Sequence, residues 1–349
     1  MSARDARLAV KCRDLCKSYF VQVRKSGFLG GLRTLVSQET REVRAVKDVS
    51  FDIRPGEFVG YIGPNGAGKS TTVKMLTGIL HPTSGDVSVN GLSPQRQRQQ
   101  LAYQIGVVFG QRTQLWWDLP TIDSFDILSA MYDVDRTVYQ DFLKQFDDLL
   151  GLGEFLDTPV RRLSLGQRMR AELAASLIHS PNVLFLDEPT IGLDVVAKGR
   201  IRDFLKKLSS ETGVTILLTT HDLRDIEELC DRVIMINHGS LIYDGTLQSL
   251  RSHAGLPTIL EVKYASLPAG LEAGGYVGPG GELLDAPANG CWEIVSVNSD
   301  SRSVRVQFDR GQSPAPVVIM AMQSLGEIRD VSLEEPIIDD IIKRVLETQ

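Results

Sequence analysis

The sequence predicts an α/β protein: a parallel sheet carrying a phosphate loop, an antiparallel β part, a helical subdomain, and a small α+β domain at the C-terminal end. Three observations lead there. Apolar runs that end in glycine or in acidic and polar residues, "EFVGYIG" at 57–63, "NVLFLDEP" at 182–189 and "VTILLTTHD" at 214–222, read as buried strands of a parallel sheet with chemistry at their carboxyl ends. Between Gln111 and Pro181 apolar residues recur at intervals of three or four, so that stretch is helical. From about residue 255 the composition shifts, with a Gly- and Pro-rich piece at 268–290, which places a boundary near residue 250.

Length and composition agree with two domains. A chain of 349 residues exceeds the roughly 250–300 at which one core stops growing. We expect residues 1–250 to form the larger domain, with the helical subdomain at about 112–180, and 251–349 a small accessory or regulatory one. An apolar content of 42%, 23% charged residues and a net charge of −6 describe an ordinary globular chain and argue against a dedicated nucleic-acid binder. Residues 1–47 differ, with eleven Lys or Arg against four Asp or Glu, a local charge of about +7 that suits a solvated surface or a face turned to anionic lipid. No apolar run approaches the roughly 18 residues of a membrane helix, and "MSARDARLAV" is too charged for a signal peptide, so a cytosolic location is expected. Cys12, Cys16, Cys230 and Cys291 form no CxxC pair and read as reduced structural thiols.

Taken in order, "TTVKMLTGIL" behind the first strand has Val73, Leu76 and Leu80 at helical spacing before Pro82. "DVSVNG" alternates and then turns, as an antiparallel strand does. In the helical stretch Ile122, Phe125, Leu128 and Met131, then Val138, Phe142, Phe146 and Leu149, then Met169, Leu173 and Leu177 mark apolar faces. Beyond the boundary, "CWEIVSVNSDSRSVRVQF" reads as a hairpin turning at Asn298 to Ser301. "PIIDDIIKRVLE" reads as an amphipathic helix through Ile337, Ile341 and Val345.

"GPNGAGKS" at 63–70 fits the phosphate-loop pattern with Gly63, Gly68, Lys69 and Ser70 in place. Glycines let backbone N–H groups turn onto phosphates, the lysine reaches the terminal ones, and the hydroxyl holds Mg²⁺. At the end of "LFLDEP", Asp187 suits the metal shell and Glu188 a general base or water-orienting role. Ser164 and Gln167 form a capping box that opens the third helix. That pair explains a well-started helix; yet Gly166 in the first turn weakens it, and a helix start with bare N–H groups is an anion site.

"GPNGAGKST", Gln111, "LSLGQ", "VLFLDEPT", "GLD" and "TTHD" follow one another in the order and spacing of ATP-binding cassette (ABC) ATPases, and the chain resembles that family over roughly residues 8–250. The resemblance implies the ABC nucleotide-binding fold and two cassettes packed head to tail, as a homodimer or with a partner cassette, with MgATP between them. It assigns Asn65, Gly66, Gly68, Lys69, Ser70 and Thr71 to the nucleotide in cis, and Ser70, Gln111 and Asp187 to the metal. Glu188, His221 and Gln111 are the catalytic set, with His221 orienting water and γ-phosphate and Gln111 sensing the γ-phosphate. Ser164, Gly166 and Gln167 touch ATP in trans, and Asp194 crosses the dimer interface. Tyr19 falls where the family stacks an aromatic on adenine, with Phe20 as the fallback and plain packing as the other reading. Leu165 stands where the family most often has glycine.

One cassette per chain, with no coiled-coil arm, points to a transporter ATPase with separately encoded permeases. The sequence around these motifs resembles the ATPase subunits of bacterial ABC-2 type exporters of drugs, lipids, natural products or polysaccharides, peripheral on the cytoplasmic side of the inner membrane. The alternatives are an importer ATPase, or a soluble cassette protein remodelling nucleic acid or a protein complex. Trp116 and Trp117 read as core or as the lining of a groove for a permease helix. Residues 20–44, with Phe28, Leu32 and Leu35, read as a membrane-surface segment or a mobile loop. The C-terminal domain is expected to stabilise the dimer or regulate it.

Overall fold

The computed structural model describes residues 8–22, 40–110, 112–254, 256–268, 270–272, 275–277, 283–284, 292–310, 312–336 and 338–347. Phe28, Leu32, Leu35, Gln111, Cys291 and Ile337 therefore lie outside the described residues. The chain divides into two compact units, 1–247 and 248–349.

The first unit runs β1 (Val10–Gln22), β2 (Thr40–Ile53), β3 (Phe58–Ile62), α1 (Lys69–Leu76), β4 (Ser84–Val89), α2 (Arg98–Ala102) and β5 (Ile105–Phe109). Then follow α3 (Thr121–Met131), α4 (Arg136–Leu150), α5 (Leu165–Leu177), β6 (Val183–Asp187), α6 (Val195–Thr212), β7 (Thr215–Thr219), α7 (Leu223–Leu229), β8 (Arg232–Asn237) and β9 (Ser240–Thr246). Helix α8 (Leu247–Ala254) begins where the units divide.

Six strands form one sheet in the order β5-β6-β7-β3-β8-β9, parallel except at β8–β9. All five residues of β3, β6 and β7 are buried, which is why these runs show no alternation. A second sheet, β2-β1-β4, is antiparallel, with the alternating strand at 84–89 on its edge. Its inward residues Val10, Cys12, Leu15, Val49 and Phe51 share one apolar cluster with Val59, Tyr61, Phe185 and Leu217 of the first sheet and Val73 and Leu76 of α1. Burying a side chain of this size contributes about 1.5–3 kcal/mol. Cys12 and Cys230 are free buried thiols, kept protonated by burial. Residues 20–22 and 40–44, read from sequence as part of an insertion, belong to the paired strands β1 and β2.

Among the described residues no strand interrupts the stretch between β5 and β6, which holds α3, α4 and α5. Two details differ from the periodicity. Met131 and Val138 are exposed, and α4 buries Tyr139, Phe142, Phe146 and Leu150 instead. Helix α1 stops at Leu76, with Thr77 as its cap. Met169, Leu173 and Leu177 of α5 are buried as expected.

The second unit holds β10 (Thr258–Tyr264), the short β11 (Leu271–Glu272), β12 (Gly275–Val277) and β13 (Leu283–Leu284), then β14 (Trp292–Asn298), β15 (Ser303–Phe308), α9 (Ala315–Leu325), β16 (Ile328–Glu334) and α10 (Ile338–Glu347). The hairpin β14–β15 and the terminal helix α10 are as expected, with α9 and β16 between them. Strand β10, which that expectation did not include, is central in the sheet β14-β15-β10-β16. Leu260, Val262, Tyr264, Val304, Val306 and Phe308 cover Val318 and Met322 of α9, a core of its own.

Candidate functional site

The phosphate loop lies where β3 leaves the sheet and α1 begins. Gly66 has φ +80° with open space where a Cβ would stand. Gly68 has φ +108°, and a Cβ there would meet the Ala45 carbonyl oxygen at 2.5 Å. A side chain is thus excluded at the residue that caps α1, and no side-chain group occupies that helix start. Its N–H groups and positive end favour an anion. Asn65 is exposed beside them and Thr71 lies half-buried in the first turn of α1.

Lys69 is 6% exposed, and its Nζ donates to the carbonyls of Gly63 at 2.7 Å and Pro64 at 3.2 Å. Burial pushes its pKa below the ordinary lysine value, and the charges of Glu188 and Asp187 oppose that shift. The ammonium is held by carbonyls of its own loop.

Asp187 ends β6 and is 9% exposed. Its Oδ1 accepts from Ser70 at 3.0 Å and from Thr219 at 2.6 Å. A hydroxyl and a carboxylate converging this way are hard oxygen ligands of the kind Mg²⁺ takes. The set fits the group that the sequence implies: bare N–H groups and an ammonium for phosphate, Ser70 and Asp187 for the cation.

Glu188 follows with φ +55°, the left-handed region, at a cost of about 1–3 kcal/mol for a residue with a side chain. Its N–H is held by the Thr219 carbonyl at 2.9 Å and hydroxyl at 3.2 Å. The half-buried Glu188 carboxylate stands 3.8 Å from His221 Nδ1, close but beyond hydrogen-bond length. His221 is 52% exposed two residues past β7.

Ser164 caps α5 through a full capping box: its Oγ accepts from the Gln167 N–H at 3.2 Å, and its own N–H donates to Gln167 Oε1 at 2.9 Å. These residues line a groove of their own with Gly166, Gly192, Asp194 and Arg200, and no phosphate-loop residue lines it. Gly166 permits a close approach to α6, where a Cβ would stand 3.3 Å from that of Ala197. Leu165 lies over Gly192, whose φ is +72°. Asp194 caps α6, accepting from Ala197 N–H at 2.9 Å. Tyr19 is exposed on β1 with the Lys17 ammonium 5.3 Å above its ring, and Phe20 is 72% exposed.

The structure thus brings Lys69, Ser70, Asp187, Glu188 and His221 together, and sets Ser164, Gly166, Gln167 and Asp194 in a separate groove. Sequence reasoning missed Thr219, which holds both Asp187 and Glu188, and Glu172, a buried carboxylate. The signal for Glu172 was a charge inside the Met169, Leu173 and Leu177 stripe.

A phosphate loop between strand and helix, with an acidic pair on the next strand but one, defines a nucleotide-triphosphatase of the α/β class. Residues 46–191 match the ABC transporter family. The chain is 35% identical over 208 residues to the ABC transporter ATP-binding protein NatA of Bacillus subtilis (strain 168), covering 60% of this chain and 84% of that protein. It is 31% identical over 303 residues to the daunorubicin resistance ATP-binding protein DrrA3 of Streptomyces coeruleorubidus, covering 85% and 90%. The dimeric post-hydrolysis structure of the ATP-binding cassette MJ0796 bound to ADP and Pi superposes with a TM-score of 0.57 at 26% identity, covering 68% of this chain and 98% of that one. This chain belongs to the ATP-binding proteins of ABC transporters. It is an ATPase of that family and uses ATP with Mg²⁺.

Proposed function

We propose that this chain is the ATP-hydrolysing subunit of an ABC-2 type exporter. It pairs with a second cassette and sits at the cytoplasmic side of the membrane on separately encoded permease subunits. The observation that carries this reading is the reach of the likeness to the daunorubicin resistance protein. Its 303 aligned residues exceed the 247 of the first unit, so the likeness extends into the second. Among the described residues no helix is long and apolar enough to cross a membrane.

Pairing follows from the division of groups. A groove lined by Ser164, Gly166 and Gln167 without a phosphate-loop residue of its own suits the nucleotide held by another cassette. Ser70 and Asp187, already 3.0 Å apart, would hold the cation of the bound nucleotide, which would offset the negative charge of its phosphates. Lys69 exchanges the carbonyls of Gly63 and Pro64 for phosphate oxygens. Glu188 takes the proton of the attacking water, with His221 beside it orienting that water, while Thr219 keeps Asp187 and Glu188 in place. Gln111 and Tyr19 keep the γ-phosphate and adenine roles that the family resemblance assigns. Asp194 faces the second cassette. Ligand shared between subunits makes closure depend on nucleotide. Trp116 and Trp117, 38% and 48% exposed, offer an apolar surface to a permease helix. The second unit supports the pair or regulates it.

Glu188→Gln is expected to bind ATP and accumulate a closed pair, seen by light scattering as an ATP-dependent doubling of mass. Rapid multiple turnover by that variant removes Glu188 from its role. Purification at native abundance from gently solubilised membranes is expected to bring a multi-spanning permease in fixed ratio. Recovery only in a soluble complex with nucleic acid or protein overturns the exporter reading and leaves the ATPase chemistry standing.

A further inference from the structure

Helix α5 carries the Ser164 cap at one end and a buried carboxylate two turns along. Glu172 is 4% exposed. An apolar residue there would complete the buried stripe without the desolvation cost that a carboxylate carries. What the carboxylate adds is direction, because the groups that hydrogen-bond to it come from one short segment ahead of α3. The Thr113 hydroxyl donates to one carboxylate oxygen and the Gln114 N–H to the other at 3.3 Å. The Gln114 side-chain amide donates to the Glu172 carbonyl at 3.3 Å, and the Leu115 N–H donates to Thr113 Oγ1 at 3.1 Å, folding the segment around the carboxylate. A second link lies one turn earlier on the same helix, where the Arg168 guanidinium stands 5.7 Å over the ring of Trp117.

The linked pieces have separate outward duties. The start of α5 faces the groove of Ser164, Gly166 and Gln167. The segment begins two residues after the Gln111 position and runs into the exposed Trp116 and Trp117. We propose that Glu172 is a positioning residue that binds the 113–117 segment to α5. Any displacement of the segment, from the nucleotide side or from the permease side, then carries Ser164 and its neighbours with it as one body. This rests on the paired-cassette reading above. Hydrogen bonds to a charged group at a buried site are the strong kind, and coupling through them is testable by removing either partner.

The test uses the full chain carrying Glu188→Gln, so that pairing is read without hydrolysis. Three further substitutions are compared: Glu172→Ala, Thr113→Val and the conservative Glu172→Gln, whose amide can still accept from Gln114 and donate to Thr113. Three quantities are measured: the ATP concentration at half-maximal pairing, binding of a fluorescent ATP analogue at protein concentrations too low for pairing, and melting temperature. Glu172→Ala and Thr113→Val are expected to raise the pairing midpoint about tenfold. Their analogue affinity is expected to stay unchanged, and Glu172→Gln to restore the midpoint. An unchanged midpoint overturns the proposal. So does a shift matched by lost analogue affinity and melting temperature that Glu172→Gln does not restore, since that is a structural role alone. If Glu172→Ala fails to fold, Thr113→Val decides by the same readings. If the Glu188→Gln parent itself does not pair with ATP, the paired-cassette reading falls and takes this proposal with it.

Discussion

Thr219 lies opposite Asp187 because β6 and β7 run parallel in that register, and the same register places the Thr219 carbonyl against the N–H of Glu188. Nothing in the sequence announces this partnership across a separation of 31 residues, whereas Lys69 and Ser70 were legible because their loop is eight contiguous residues with its own pattern. Glu172 is the other case: its partners Thr113 and Gln114 lie 59 and 58 residues away. Its environment also yields a pH prediction. Burial raises its carboxyl above the ordinary glutamate value; hydrogen bonds from Thr113 and Gln114 and the charge of Arg168 oppose that shift without cancelling it. The folded chain then binds this proton more tightly than the unfolded chain, whose glutamates titrate near about 4.3. Ionised Glu172 therefore costs stability at neutral pH, and the cost fades as pH falls through the folded value. Glu172→Gln, which never ionises, is expected to melt higher than the parent at pH 7.5, by a margin that shrinks at pH 5. A margin that widens on acidification means that the hydrogen bonds and Arg168 outweigh burial.

At the scale of elements, what a sequence shows is what one or two helical turns decide. The capping box was readable because Ser164 and Gln167 lie within a single turn. The buried face of α4 was not, because Val138, Phe142, Phe146 and Leu149 and the observed Tyr139, Phe142, Phe146 and Leu150 are both helical spacings. Tertiary contacts choose between them: the Tyr139 hydroxyl donates to Asp126 on α3 at 2.8 Å, and Phe146 packs edge-on against Phe204 of α6. The cap itself serves two ends, starting α5 and presenting donors to an anion, and substitution can part them. Ser164→Ala is expected to lose about 1 kcal/mol of stability. Ser164→Asp keeps a capping oxygen and a favourable charge at a helix start, so its melting temperature is expected to match the parent. Yet a carboxylate facing the phosphates of a second cassette repels them, so ATP-driven pairing is expected to be weaker in Ser164→Asp than in Ser164→Ala. Equal pairing in the two variants, measured by light scattering against ATP, takes Ser164 out of the trans site.

Across the whole molecule, the motifs that name the family crowd into the first unit, and the second was readable only as far as its local hairpin and terminal helix. Its central strand, "TILEVKY" at 258–264, alternates with Thr258, Leu260, Val262 and Tyr264 buried, but it pairs with strands roughly 40 and 70 residues later and has no turn beside it to mark a hairpin. Among the described residues, the apolar cluster beneath the phosphate loop contains none beyond 241, and that of the second unit none before 260. A chain lacking residues 256–349 therefore keeps the packing that holds β3, α1 and β6 in place. It is expected to fold and to bind ATP with the affinity of the full chain. If the second unit stabilises the pair, the shortened chain carrying Glu188→Gln needs more ATP to reach half-maximal pairing, and the shortened wild-type chain hydrolyses ATP more slowly at low protein concentration, with the difference closing as concentration rises. A purely regulatory unit gives another pattern: pairing stays the same while the ATPase rate changes at every concentration. Truncation that alters neither pairing, ATPase rate nor transport removes the second unit from the cycle.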